Sequence, residues 1–141
     1  MNDSFIEGQT FSNLKKPEPG AYDSCRFINC DFSGADLSDI KFLDCEFRGS
    51  NFGLAKLIKT SLFKNSKIIE VDFTDSDLSN SIFDNCDLQR SIFRNTNLEN
   101  TDFRTSFNYS IDPEVNKIKK AKFSLLSVSG LLDKYDIEIE K

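Results

Sequence analysis

The chain has 141 residues, 18 Lys+Arg against 23 Asp+Glu, and no histidine, for a formal net charge of −5. That excludes imidazole catalysis and imidazole metal ligation, and the acidic balance argues against direct nucleic-acid binding. Mean hydropathy is −0.41, and no apolar run approaches the roughly 18 residues needed to span a membrane.

The start, Met1-Asn2-Asp3-Ser4-Phe5, has neither a basic nor an apolar leader segment. A single cytoplasmic domain with no membrane partner is therefore expected. Residues 1–21 read as a cap and loop. Phe5 to Phe11 predicts a first partial strand that covers an open end, and Lys15-Lys16-Pro17-Glu18-Pro19-Gly20 predicts a turn-rich loop.

From Tyr22 onward every fifth residue is large and apolar: Phe27, Phe32, Leu37, Phe42, Phe47, Phe52, Leu57, Leu62. After one added residue the count resumes at Ile68 and runs through Phe73, Leu78, Phe83, Leu88, Phe93, Leu98 and Phe103. Two places before most of these stands a small side chain, such as Cys25, Ala35, Ser50, Thr60, Ser76 or Thr96. A period of five fits neither the 3.6-residue helix nor the two-residue strand. Each unit therefore forms one side of a coil.

Sorting by every fourth unit gives chemically pure sets. A Phe wall holds Phe32, Phe52, Phe73 and Phe93, and a Leu wall holds Leu37, Leu57, Leu78 and Leu98. A Cys wall holds Phe27, Phe47, Ile68 and Leu88, and a mixed wall holds Tyr22, Phe42, Leu62, Phe83 and Phe103. The expectation is an all-β solenoid with a square coil of about 20 residues, each coil burying its face on the next. The extra residue reads as a corner bulge at 63–67.

The pattern loosens after Phe103 and returns at Ile118 and at Ala121-Lys122-Phe123. This places Phe123 under the mixed wall, with a longer excursion to the Phe wall as the alternative. The solenoid is thus assigned to residues 1–123. Residues 124–141 change period. Leu125, Leu126, Val128, Leu131, Leu132 and Tyr135 recur at helical spacing, and Ile137-Glu138-Ile139-Glu140 alternates like a strand.

The units Ala35-Asp36-Leu37-Ser38, Ser76-Asp77-Leu78-Ser79, Cys86-Asp87-Leu88 and Thr101-Asp102-Phe103-Arg104 resemble the pentapeptide-repeat family. The resemblance covers roughly residues 22–123. It implies a right-handed quadrilateral β-helix; the absence of histidine and of a phosphate-binding glycine loop leads to the expectation of a non-enzymatic protein. Residues 124–141 resemble the C-terminal module of the quinolone-resistance members, a short α-helix ending in a strand. That resemblance implies a homodimer; the excess apolar surface of the segment and the alternation of Ile137 and Ile139 put Leu131, Leu132, Tyr135, Ile137 and Ile139 at its interface, with a plain intramolecular cap as the alternative.

Site chemistry is sparse. Cys25, Cys30, Cys45 and Cys86 all fall in the inward small slot and read as buried free thiols, with no CxxC pair. No catalytic, metal or cofactor residues are assigned. The aspartates just before inward residues read as groups that satisfy turn amides. Over residues 21–105 the Phe and Leu walls each sum to −2, the Cys wall to +1 and the mixed wall to −1. Asp31, Asp36, Asp39, Asp72, Asp75, Asp77 and Glu99 on the two acidic walls are the candidate partner-binding residues. The exposed apolar candidates are Ile28, Leu43, Ile58 and Phe63.

The leading expectation is an interaction scaffold whose partner is an unspecified protein. The alternative that the resemblance implies is an acidic DNA mimic acting on a type II topoisomerase such as gyrase. A rod of about 30 Å with a charge of −5 is several-fold less charged than DNA, at about one charge per 1.7 Å.

Overall fold

The computed structural model describes residues 4–57 and 61–140. The chain winds as a four-sided parallel solenoid. One wall is the sheet of β1 (Phe5–Glu7), β3 (Ala21–Asp23), β5 (Lys41–Leu43), β7 (Leu62–Lys64) and β9 (Ile82–Asp84). The next wall is the sheet of β2 (Thr10–Ser12), β4 (Arg26–Ile28), β6 (Glu46–Arg48) and β8 (Lys67–Ile69). The other two walls are held by single parallel bridges, Asp31–Asn51–Asp72–Ile92 and Asp36–Lys56–Asp77–Asn97–Lys117.

Three-residue sides need a sharp turn at each corner. The corner residue, two places after the inward one, takes a positive φ, as at Asn29, Gly34, Asp44, Asn65, Asn85 and Asn100. Glycine and asparagine tolerate this region, which explains their recurrence there. Leu54, Glu70, Arg90 and Lys120 hold φ between 56° and 61° without that tolerance.

The inward residues make the core. Phe32, Phe52, Phe73 and Phe93 form one buried column with successive ring centroids 5.1 Å apart. Leu37, Leu57, Leu78 and Leu98 are fully buried in the adjoining column. Phe123 stacks on Phe103 at 5.5 Å and 8°, the mixed-wall placement.

The register corrects the sequence reading at the inserted residue. Phe42 pairs with Phe63, not Leu62. Phe63 is fully buried, Leu62 lies on the outer face, and Ser61 fills the small slot. The addition therefore lies between Leu57 and Ser61, not at 63–67, and Phe63 is not an exposed contact residue. Ile58, Lys59 and Thr60, to which the sequence reading gave roles, lie outside the described residues. With Phe63 in place the mixed wall is a continuous aromatic column, Tyr22–Phe42–Phe63–Phe83–Phe103–Phe123. Centroid spacings run from 4.9 to 5.6 Å and interplanar angles from 4° to 23°. Parallel rings at that spacing suit a coil repeat near 4.8 Å.

The small slot also has a chemical requirement. Its hydroxyls and thiols donate to carbonyls of the coil below: Ser91 to Ile68 at 2.6 Å, Thr96 to Phe73 at 2.8 Å, Cys86 to Phe63 at 3.3 Å. In turn, the N–H groups of Cys30 and Val71 donate to Ser50 and Ser91 in the coil above. Buried backbone groups that the narrow ladders leave open are satisfied this way.

At the first end, Phe5–Phe11 forms two strands rather than one. Ile6 and Phe11 point inward while Phe5 is exposed, because pairing with Tyr22 and Phe27 fixes the register. Phe11 stacks on Phe27 at 5.1 Å. Tyr22 Oη donates to the Glu18 carbonyl at 2.5 Å and ties down the 15–20 loop.

The last segment differs from expectation. In place of an α-helix and strand there are two 3-10 turns, Val128–Leu131 and Asp133–Tyr135, and residues 137–139 have no ladder partner among the described residues. Contacts to the coil below decide this. The Ile111 N–H donates to the Gly130 carbonyl at 3.0 Å, and Ser127 Oγ reaches the Ser106 carbonyl at 3.1 Å. Gly130 sits so close to Tyr109 that a Cβ would strike the Tyr109 carbonyl. Asp136, at φ 50°, ends the second turn.

The register is tested by a pair of variants. Phe63→Ala should cost about 3–5 kcal/mol, as for a buried aromatic, whereas Leu62→Ala should cost no more than about 1 kcal/mol. Denaturant melts giving the reverse order would place Leu62 in the core.

Candidate interaction surfaces

The interior is filled with side chains, so functional chemistry falls on the outer walls. Each aspartate that precedes an inward residue is built into its corner. The Oδ1 atoms of Asp31, Asp36, Asp72 and Asp77 accept the N–H two residues on at 2.9–3.1 Å. Asn51 and Asn97 do the same with their amide oxygens, at 2.8 and 3.1 Å. Asp72 also accepts from Thr74 Oγ1 at 2.6 Å, and Asp77 from Ser79 Oγ at 2.7 Å. At Asp31 and Asp36 the turn bonds stabilise the ionised form. Ser33, through its hydroxyl and then its N–H, holds Asp31 below the ordinary carboxylate range, and the Ser38 N–H does so for Asp36. Asp102 is held low by the Arg104 side chain.

The structure groups the seven candidate acids unevenly. Asp31 and Asp72 share one row of the Phe wall with Asn51 between them, and Asp75 sits at the adjoining corner with φ 61°. Asp36 and Asp77 flank Lys56 in one row of the Leu wall, where the cation offsets part of their charge. Asp39 occupies the far corner of that wall at φ 67°, and the N–H of Glu99 donates to Asn97. The Cys wall neutralises itself: Glu46 pairs with Arg26 at 3.1 Å and Arg48 at 3.0 Å, and Glu70 pairs with Arg90 at 2.9 Å. Ile28 and Leu43, two of the apolar candidates, are half-buried. Sequence reasoning missed Leu54 and Ile92, exposed on or beside the Phe wall. Their signal was an apolar residue at an outward or corner position of the five-residue unit.

All four cysteines are free and buried. Burial pushes the Cys45 and Cys86 thiols up to about 12 and also raises Cys30. Among the described residues no group of three or more His, Cys, Asp and Glu side chains could hold a metal ion. None of the described helices is long and apolar enough to cross a membrane. A shallow cleft of about 440 Å³ lies at the last coil, between Phe107, Tyr109, Leu126 and Asp133.

The tail residues stand apart. Leu131 packs on the core, while Leu132, Tyr135, Ile137 and Ile139 are exposed.

A four-sided coil with a five-residue unit, an inward aromatic or leucine and a hydrogen-bonding small slot defines a pentapeptide-repeat solenoid. Eight copies of the pentapeptide repeat match residues 25–62 and 66–106, and the chain belongs to that family. Among solved structures, a pentapeptide repeat protein from the Arabidopsis thaliana thylakoid lumen is similar at 21% identity and a TM-score of 0.52, covering 64% of this chain and 59% of that one. The chain thus spans less than two thirds of that protein. HetL, a pentapeptide repeat protein involved in heterocyst differentiation regulation from the cyanobacterium Nostoc sp. strain PCC 7120, is 12% identical with a TM-score of 0.45, over 84% of this chain and 70% of that one. QnrB1, a plasmid-mediated fluoroquinolone resistance protein, is 16% identical with a TM-score of 0.41, over 99% of this chain and 92% of that one. No match was found among curated proteins.

Two titrations follow. Asp31, Asp36 and Asp102 have folded values below the ordinary 3.8. Their stabilisation is therefore present above that value and is lost as pH falls through the depressed folded values. Asp31→Asn with Asp36→Asn should keep both turn bonds and flatten the acid limb of the melting-temperature profile; an unchanged limb would remove these groups as its source.

The thiols act at the other extreme. Cys45 and Cys86 have raised folded values, so their contribution is complete below the ordinary 9.0 and is lost as pH rises toward about 12. A thiol reagent at neutral pH should label neither until the chain unfolds, and Cys86→Ser should keep the bond to Phe63. Fast labelling of native protein would contradict the burial.

Proposed function

We propose that this protein is a non-enzymatic interaction scaffold whose Phe and Leu walls present a rigid acidic face to a basic protein surface. The observation that carries the reading is the carboxylate arrangement. Asp31, Asp36, Asp72 and Asp77 are fixed by turn bonds on flat walls, with Asp39, Asp75 and Glu99 beside them. Fixed charges lose little side-chain entropy on binding. The finer reading is a type II topoisomerase such as gyrase, met by an acidic rod that stands in for DNA. A right-handed coil and a cytoplasmic setting belong to the same reading.

A second element of the proposal is a homodimer. Leu132, Tyr135, Ile137 and Ile139 are exposed at one end, and residues 137–139, which have no ladder partner among the described residues, offer backbone that a two-fold copy would pair with.

A gyrase supercoiling assay tests the topoisomerase reading. Salt-sensitive protection or inhibition, weakened in Asp72→Asn with Asp75→Asn, supports it; no effect removes gyrase as the partner. Light scattering tests the dimer: wild type should have twice the mass of Leu132→Glu with Ile139→Glu. A monomeric wild type would leave the tail as a cap.

A further inference from the structure

We propose that the rim of the last coil, residues 117–126, docks on an anionic lipid surface. This goes beyond the scaffold reading and does not depend on it. In this stretch Ile118 and Phe123 pack against the core, and Ala121 is partly covered. The exposed side chains are Lys117, Lys119, Lys120, Lys122, Leu125 and Leu126. None is acidic, in a chain whose net charge is −5.

Three observations carry the inference. First, the cations form no direct ion pair: among the described residues none of the four lysines lies within 4.0 Å of a carboxylate, and Lys122 acts on its ladder neighbour Asp102 only at longer range, whereas Lys134, just beyond, is bound by Asp112 and Glu114. Of the acids in the coil beneath, Asp102 is already engaged by Arg104 at 2.8 Å, which leaves Glu99. Second, Lys120 stands at a corner with φ 60°, where the coils beneath carry Asn80 and Asn100. The last coil thus places a cation at a corner where the two coils beneath carry neutral amides. Third, Leu125 and Leu126 are 95% and 98% exposed. They are the middle of a turn closed by Ser127 and Val128 N–H groups donating to the Ser124 carbonyl at 3.4 and 3.0 Å.

Their shape selects the partner. Two bare leucines on a projecting turn form a convex tip beside cations. A deformable headgroup layer accepts such a tip, while lysines gain from its anionic charge. The tail acids Asp133, Asp136, Glu138 and Glu140 oppose this attraction, Asp133 most directly because it lines a cleft with Leu126. Binding is therefore expected to need both the cations and the leucines.

Flotation of the full chain tests this, using phosphatidylcholine vesicles with and without phosphatidylglycerol at physiological salt. Wild type should float with the phosphatidylglycerol vesicles only. Lys119→Gln with Lys120→Gln and Lys122→Gln should lower the partition coefficient at least about tenfold, and Leu125→Ser with Leu126→Ser should also lower it. All five positions are outward, so unchanged melting curves would separate lost binding from lost fold. Excess inorganic phosphate at constant ionic strength should not compete. The proposal is overturned if wild type stays unbound, if either variant floats like wild type, or if phosphate displaces the protein, which would mark a simple anion site.

Discussion

Ring stacks on ring from Tyr22 to Phe123 because each coil offers one inward aromatic at the same point. Stacking near 5 Å matches the separation of hydrogen-bonded strands. The ladder bonds and the aromatic contacts therefore ask for the same coil spacing, and neither is strained to suit the other. Phe42, Phe63 and Phe83 stay in register although the span from Leu57 to Ser61 is one residue longer than the corresponding span in the other coils.

The interior leaves no room for chemistry, and this sends function to the walls. The fold also shapes what the walls offer. An aspartate before an inward residue does local work by accepting a turn N–H, and the charge it shows to solvent is a by-product with a fixed position. The acidic face thus arises from turn geometry and stays rigid for the same reason. Where cations interleave, as at Lys56, or pair outright, as at Glu46 with Arg26 and Arg48, the wall is electrostatically quiet. On the Phe wall the row of Asp31, Asn51, Asp72 and Ile92 holds no interleaved cation, although Arg94 stands beside Asp75, and Leu54 is exposed at the edge.

The ends obey a different rule. A coil end is an open ladder edge and must be covered. The first end uses two short strands, Phe5–Glu7 and Thr10–Ser12, that continue both sheets. The last end uses 3-10 turns anchored through Ser127 and Gly130, and so much backbone is committed to the coil beneath that an α-helix does not form. The same anchoring pushes Leu125, Leu126 and the 137–139 segment outward, where a membrane or a second copy can meet them.

The sequence by itself determined the period, the four walls, the inward columns, the buried thiols and the turn role of the aspartates. Each of these follows from a local five-residue rule that every unit repeats. It misplaced the insertion because counting forward in fives from Tyr22 lands on Leu62, an acceptable apolar residue, whereas counting back from Ile68 lands on Phe63 with Ser61 in its small slot. The helical spacing of Leu125 to Tyr135 was a true periodicity without a helix. Only the tertiary structure decided that region, because the Ser106, Tyr109 and Ile111 contacts that bend it into 3-10 turns come from a coil 18 to 21 residues earlier, beyond the reach of any local pattern. It also decided which acids stand clear of cations, since neighbours across walls lie about 20 residues apart in sequence and meet only when the coil closes.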